Sequence, residues 1–332
     1  MSGHLTFVEA IVVGALQGAS ELFPVSSLGH SVLLPALVGG SWARDLDVAA
    51  PESPYLAFIV GLHVATALAL ILYFWRDWVR IITGLFTSIR YRRVSNADER
   101  LAWMIIIATI PVGIAGLALE HPFRTVLGRP VPAAIFLIIN GCILYGAERL
   151  RRRSAAATAA QPAPALVNRA GAGAVFASAS APAQHGSVTE GSVTEGSEAI
   201  ASDARVASRG FGQTTLIGAA QILALLPGIS RSGVTMATGL WRGLSHEDAA
   251  RFAFLLATPV ILAAGALKVP DLFGPLGNGI HGQVLAGSAA SFVCAYLAVR
   301  YLTRYFETRT LTPFAIYCAA AGVASLAWLG LR

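Results

Sequence analysis

The sequence is poor in charge: 13% of its 332 residues are Asp, Glu, Lys or Arg, against 55% hydrophobic residues and a mean hydropathy of +0.64. That balance argues against a soluble domain, where charged residues make up about 25%. Cysteine is scarce as well. Cys142, Cys294 and Cys318 all lie inside apolar runs, which excludes a disulfide framework and offers no metal-ligand spacing. They read as small packing residues. The N-terminal segment lacks the basic stretch of a cleaved signal peptide. Its first apolar run carries Gln17, Ser20 and Glu21 where such a signal stays apolar, so the segment is expected to be retained. Nor do aromatics interleave with the arginines on a polar surface, so the net charge of +6 does not point to nucleic acid.

What the chain has in abundance is apolar runs near the length of a membrane-crossing helix, about 20 residues. They are Tyr55 to Phe74, Leu101 to Leu119, Val131 to Ala147, Phe252 to Leu267, Val284 to Leu302 and Leu311 to Leu331, about six spans in all. Residues 154–210 are different, rich in Ala, Ser, Thr, Gly and Pro, with a tandem Ser-Val-Thr-Glu-Gly at Ser187 and Ser192. Such a stretch buries too little apolar surface to offset its ordering entropy, and is expected to be a flexible cytoplasmic linker. It separates two membrane halves, 1–153 and 211–332.

Arginine marks one side of these spans. Arg76, Arg80, Arg90, Arg92, Arg93 and Arg100 lie between the first two, and Arg149 with Arg151 to Arg153 follows the third. Arg242, Arg251, Arg300, Arg304 and Arg309 continue the pattern, which assigns this side to the cytoplasm. Asp45, Asp47, Glu52 and Glu120, and later Lys268 and Asp271, fall outside.

Two segments do not read as simple spans. Leu5 to Gly39 is broken around Gln17, Glu21, Pro24, Ser26, Ser27 and His30, and Phe211 to Leu240 around Gln221, Pro227, Ser230, Arg231 and Thr235. With arms of about 12 to 15 residues, each is expected to form a re-entrant helical hairpin. Gly14-Ala-Leu-Gln17 and Pro24-Val-Ser26 are answered by Gly218-Ala-Ala-Gln221 and Pro227-Gly-Ile-Ser230, and three spans follow each hairpin. By parity the second half is inverted relative to the first, which places the two Pro-Ser tips face to face. The expected fold is an all-α polytopic membrane protein, an inverted repeat of about six transmembrane helices plus two re-entrant helical hairpins.

Ionisable residues inside a membrane are costly and are usually tolerated at a cavity. Glu21, His30 and Arg231 all fall in the hairpins; His63 lies mid-span and reads as structural more readily than as cavity-lining. A buried Glu21–Arg231 pair could also simply pin the hairpins together. Gln17 and Glu21 share a helix face, and Ser27 and His30 can converge on the next helix. The serines following Pro24 and Pro227 suit helix N-caps, whose free N–H groups make an anion site. Arg231 adds a guanidinium that forks onto phosphate oxygens. Ser26, Ser230, Ser232, Gly233 and Thr235 complete the expected phosphate contacts. Ser27 with His30 offers a nucleophile and a proton carrier.

Together Gln17-x-x-x-Glu21, Pro24-Val-Ser-Ser27-x-Gly-His30 and Pro227-Gly-x-Ser230-Arg-Ser-Gly233-x-Thr235 resemble the bacterial undecaprenyl-diphosphate phosphatases of the bacitracin-resistance type. The resemblance implies hydrolysis of undecaprenyl diphosphate to the monophosphate in the bacterial inner membrane, recycling the peptidoglycan lipid carrier. It also implies a divalent cation, Mg²⁺ or Ca²⁺. Many members carry Glu where this chain has Gln17, so metal binding is expected to fall chiefly on Glu21. The expected catalytic set is Ser27, His30, Glu21 and Arg231. A transporter or flippase for the lipid phosphate is the alternative, because inverted repeats also serve alternating access. The expected partners are the isoprenoid lipid diphosphate and the bilayer, with a homodimer as an allowed assembly and no nucleic acid.

Overall fold

The computed structural model describes residues 5–46, 54–159, 190–274 and 279–331, and among these every regular element is helical. Residues 160–189, and the acidic residues Asp47 and Glu52, lie outside the described residues. Helix α1 (Phe7–Leu22) opens on a capping box, in which Thr6 Oγ1 accepts from the Glu9 N–H at 3.2 Å and the Glu9 carboxylate accepts from the Thr6 N–H at 2.8 Å. It stops at Phe23, because the residue before a proline is pushed out of the helical region. Helix α2 (Ser27–Val38) returns from the tip and completes the first hairpin. After the short α3 (Gly40–Asp45), α4 (Pro54–Tyr73) runs to an elbow where the chain turns by 86° into α5 (Trp75–Tyr91). Helices α6 (Ala97–Leu127) and α7 (Pro130–Ala159) end the first half.

Helix α8 (Glu190–Ala207) precedes the second hairpin, made of α9 (Phe211–Ala219), a 3₁₀ turn (Ala220–Leu225) and α10 (Arg231–Trp241). Helices α11 (His246–Lys268), α12 (His281–Thr308) and α13 (Thr312–Gly330) follow. Helices α6, α7, α11, α12 and α13 are long and apolar enough to cross a membrane, and α4 with its bent continuation makes a sixth. The protein is a multi-pass membrane protein of the all-α type.

Helix pairing exchanges the two halves. Helix α1 packs on α12 and α9 on α6, while α4 meets α11 and α7 meets α13. Glycine sets the closest approaches: a Cβ at Gly14 would lie 2.2 Å from the Gly287 carbonyl oxygen, and one at Gly218 2.1 Å from that of Ala108. Gly141 on α7 bears on Ala315 of α13, and Gly322 on α13 bears on Ala134 of α7. Gly141 follows Pro132 by as many residues as Gly322 follows Pro313. The same small residue at the same point of each half lets backbones close, as membrane helices require.

The stretch expected to be a flexible linker is corrected at both ends: α7 continues to Ala159, and α8 is ordered by polar contacts. Asp203, buried, accepts from Arg251 of α11 at 2.8 and 3.0 Å and is also paired with Arg80 of α5. Arg205 forks onto Asp248 of α11 at 2.6 and 2.9 Å. Composition counts apolar area, and α8 is held instead by charge pairs to both halves.

Candidate active site

The site grows from the two hairpin tips. Ser26 sits at φ 69°, a backbone conformation that costs about 1–3 kcal/mol outside glycine and persists only where neighbours enforce it. Here its Oγ accepts from Gly29 N at 3.2 Å, capping α2, and from Gly228 N of the other tip at 3.2 Å. Gly228 itself has φ 113° and no room for a Cβ, which would lie 2.4 Å from the Ala133 oxygen. Ser230 caps α10 through Gly233 N at 3.1 Å. Asn140, fully buried on α7, ties the tips together: its Oδ1 accepts from Ser230 N at 3.0 Å and its Nδ2 donates to Pro24 O at 3.0 Å.

Because Ser26 and Ser230 are matching caps, the residues after them, Ser27 and Arg231, open matching helices, and both reach Glu21. Glu21 is buried, and its Oε1 accepts from Arg231 Nη2 at 2.6 Å. Its Oε2 accepts from Gln17 Nε2 at 2.9 Å and from Ser27 Oγ, with His63 Nε2 at 3.3 Å. His63 Nδ1 faces the Ile59 carbonyl oxygen at 2.9 Å. A carbonyl only accepts, so Nδ1 carries the proton and Nε2 is turned to Glu21 and to Gln17 Nε2, 3.1 Å away.

These groups line one part of a cavity of about 450 Å³, with Glu21, Ser26, Ser27, His63, Ser230 and Arg231 on its wall. The rest of the wall is mainly apolar, from Val32 and Ile59 to Val112, Leu117 and Leu267, with Lys268 at the end of α11. Gln17 Oε1 and Arg231 Nη1 are buried and have no hydrogen-bond partner among the described residues. Native interiors rarely leave such atoms unmatched, and here one acceptor and one donor stand beside the same carboxylate.

The expected site residues do not all meet. His30 stands apart from the cavity wall: its Nδ1 lies 2.6 Å from Ser26 O, its Nε2 2.7 Å from Tyr317 OH, and its ring stacks on Tyr317 at 5.8 Å. Spacing of three does bring side chains to one helix face. Ser27, however, stands at the first position of α2 and turns back to Glu21, while His30 turns toward α13. The histidine on the cavity wall is His63, which the sequence reads more readily as structural. Thr235 Oγ1 donates to Arg231 O at 2.8 Å within its own helix, and Ser232 Oγ to Phe23 O at 3.2 Å, so these, with Gly233, support the tip from behind. Asn140 and Tyr317 escape a sequence reading that follows charge; an amide in mid-span is the signal that could have found Asn140.

The chain matches the family described as bacitracin resistance protein BacA over residues 10–324. It belongs to that family. The match runs from the second turn of α1 into α13 and so contains both hairpin tips and every cavity residue named above. Similar proteins named undecaprenyl-diphosphatase occur in Mycolicibacterium paratuberculosis (66% identical over all of both chains), in Frankia casuarinae (55%, over 98% of this chain and 99% of the relative) and in Acidiphilium cryptum (40%, over 97% and 98%). For a BacA-family protein, the arrangement joins a hydroxyl, a carboxylate and a guanidinium at two helix N-termini, which suits transfer of a phosphoryl group.

Proposed function

We propose that this protein hydrolyses undecaprenyl diphosphate to undecaprenyl phosphate and inorganic phosphate in the bacterial plasma membrane. The observation that carries the reading is the hydrogen bond of Ser27 Oγ to Glu21, with Arg231 on the same carboxylate and all three on the wall of one largely apolar cavity. The cavity's apolar wall accepts the isoprenoid chain. Arg231 Nη1 and the N-termini of α2 and α10 take the phosphate oxygens.

Ser27 Oγ attacks the terminal phosphorus and its proton passes to Glu21. The bond to the bridging oxygen breaks, undecaprenyl phosphate leaves, and water then cleaves the phosphoserine to release phosphate. His63 Nε2, 3.3 Å from the carboxylate, steadies the transferred proton. His30 acts at a distance, holding the Ser26 carbonyl.

A divalent cation fits the donor set. Glu21 and the unmatched Gln17 Oε1, with the substrate's own phosphates, would hold Mg²⁺ or Ca²⁺, both of which favour oxygen ligands. Bound there, the cation would neutralise charge on the diphosphate.

Purified protein in detergent should release phosphate from a C15 or C55 prenyl diphosphate, and a chelator should suppress the release. Ser27→Asn keeps a polar side chain at that position but removes the nucleophile; it should stay folded, bind the lipid diphosphate and release nothing above background. Release by the wild type would also exclude a pure transporter. Turnover by a folded asparagine variant would replace the phosphoserine with direct attack by water.

A further inference from the structure

The arginines of the C-terminal half do more than mark a side of the membrane. Helix α12 crosses the bilayer and ends at Thr308, so its last turns stand at the membrane surface. There Arg300, Arg304 and Arg309 converge with Tyr301 and Tyr305 on an open cleft of about 480 Å³, with Leu297 at its membrane-facing end. Glu307 belongs to the same stretch of helix but does not line the cleft. A role in topology needs positive charge on one side. It does not need three guanidiniums gathered round two tyrosines.

Helix α5 lies at the same level. Tyr73, at the elbow before it, hydrogen-bonds through its hydroxyl to Thr303 Oγ1 of α12 at 2.8 Å. Helix α5 is turned 86° from α4 and so lies across the direction of that helix. Its inner face is docked on α6: Gly84 lies against the Asp98–Glu99 backbone, and Ser88 Oγ accepts from Trp103 Nε1 at 2.9 Å. Its outer face exposes Trp75, Val79, Ile82, Phe86 and Ile89, three or four residues apart. Arg76 lies over Trp75 at 5.4 Å and Arg90 over Tyr91 at 6.0 Å, placing cations beside rings that favour the headgroup layer. An apolar face flanked by arginines is the pattern of a helix seated in an interface of anionic lipid.

We propose that the Arg300–Arg304–Arg309 cleft binds the phosphate headgroup of an anionic phospholipid in the leaflet on which α5 rests. The guanidiniums fork onto the phosphate oxygens, the Tyr301 hydroxyl donates to them, and Leu297 meets the start of the acyl chain, while the Tyr305 hydroxyl, which donates to Thr310 O at 3.3 Å, braces the rim. The site is separate from the Glu21 cavity. It adjoins the first hairpin, since Tyr301 stacks on Phe23 with ring centroids 6.1 Å apart.

The test is native mass spectrometry of the full chain in detergent, titrated with phosphatidylglycerol and with phosphatidylcholine of the same acyl chains. Phosphatidylglycerol should be retained at least about tenfold more strongly, as expected for a few arginines acting together on an anionic headgroup. The triple variant Arg300→Gln, Arg304→Gln, Arg309→Gln should lose that preference, and Arg76→Gln with Arg90→Gln should keep most of it. These side chains are solvent-facing, and the single variants Arg300→Gln and Arg309→Gln give the same reading in graded form if the triple variant does not purify. Equal retention of the two lipids by the wild type, or an undiminished preference in the cleft variants, would overturn the assignment.

Discussion

Glu21 receives Arg231 on one oxygen, and Gln17 and Ser27 on the other. In the proposed reaction Arg231 has two tasks, because Nη2 holds the carboxylate while Nη1, which has no hydrogen-bond partner among the described residues, takes the phosphate. Arg231→Lys preserves the charge, but a single ammonium cannot do both in a fixed fork. We expect kcat/KM to fall by about 10²-fold or more, as for loss of one donor to a developing anion, with the detergent melting temperature little changed. Near-normal turnover would reduce Arg231 to a structural partner of Glu21. Glu21, Ser27 and Arg231 are legible in the sequence because a charged or hydroxyl group next to a proline in an apolar run has few uses other than a cavity. That His63 lines the cavity and His30 does not has a reason that spacing does not contain. Which way a histidine points depends on the helix that faces it, and that is α13 for His30 and α1 for His63.

Among the elements, the re-entrant hairpins and the spans follow from arm length and apolar runs, whereas α8 does not. Its residues are small and polar, and what orders it is the burial of Asp203 between Arg80 and Arg251, on helices far away in sequence. Asp203→Asn would leave two guanidiniums facing a neutral amide. Both arginines keep some solvent contact, 22% and 11% exposed, so the cost falls below that of a fully buried pair, at about 2 kcal/mol. That should appear as faster thermal inactivation in detergent, with KM unchanged for a prenyl diphosphate. Stability equal to the wild type would show that α8 is not a fastening between the halves.

In the molecule as a whole, the site depends on how the two halves are oriented. Helix α1 packs on α12 as α9 packs on α6, and Gly141 and Gly322 bear on one another's helices, so an exchange of halves maps the packing onto itself. Such an exchange leaves the axis either along the membrane normal or in its plane, and arginine distribution chooses the plane, giving halves of opposite orientation. The glycine correspondence is in the sequence but carries no meaning until the helices are paired, since glycine is common in every span. Orientation can be read directly with single cysteines in a background where Cys142, Cys294 and Cys318 are replaced. Ala43 and Phe273 are exposed on the side poor in arginine, and Val94 and Trp241 on the side rich in it. In intact cells an impermeant thiol reagent should modify Ala43→Cys and Phe273→Cys, while Val94→Cys and Trp241→Cys should react only after permeabilisation. If Ala43→Cys and Trp241→Cys were labelled alike from outside, the hairpins would dip from one face, the halves would be parallel, and the tips would meet without inversion.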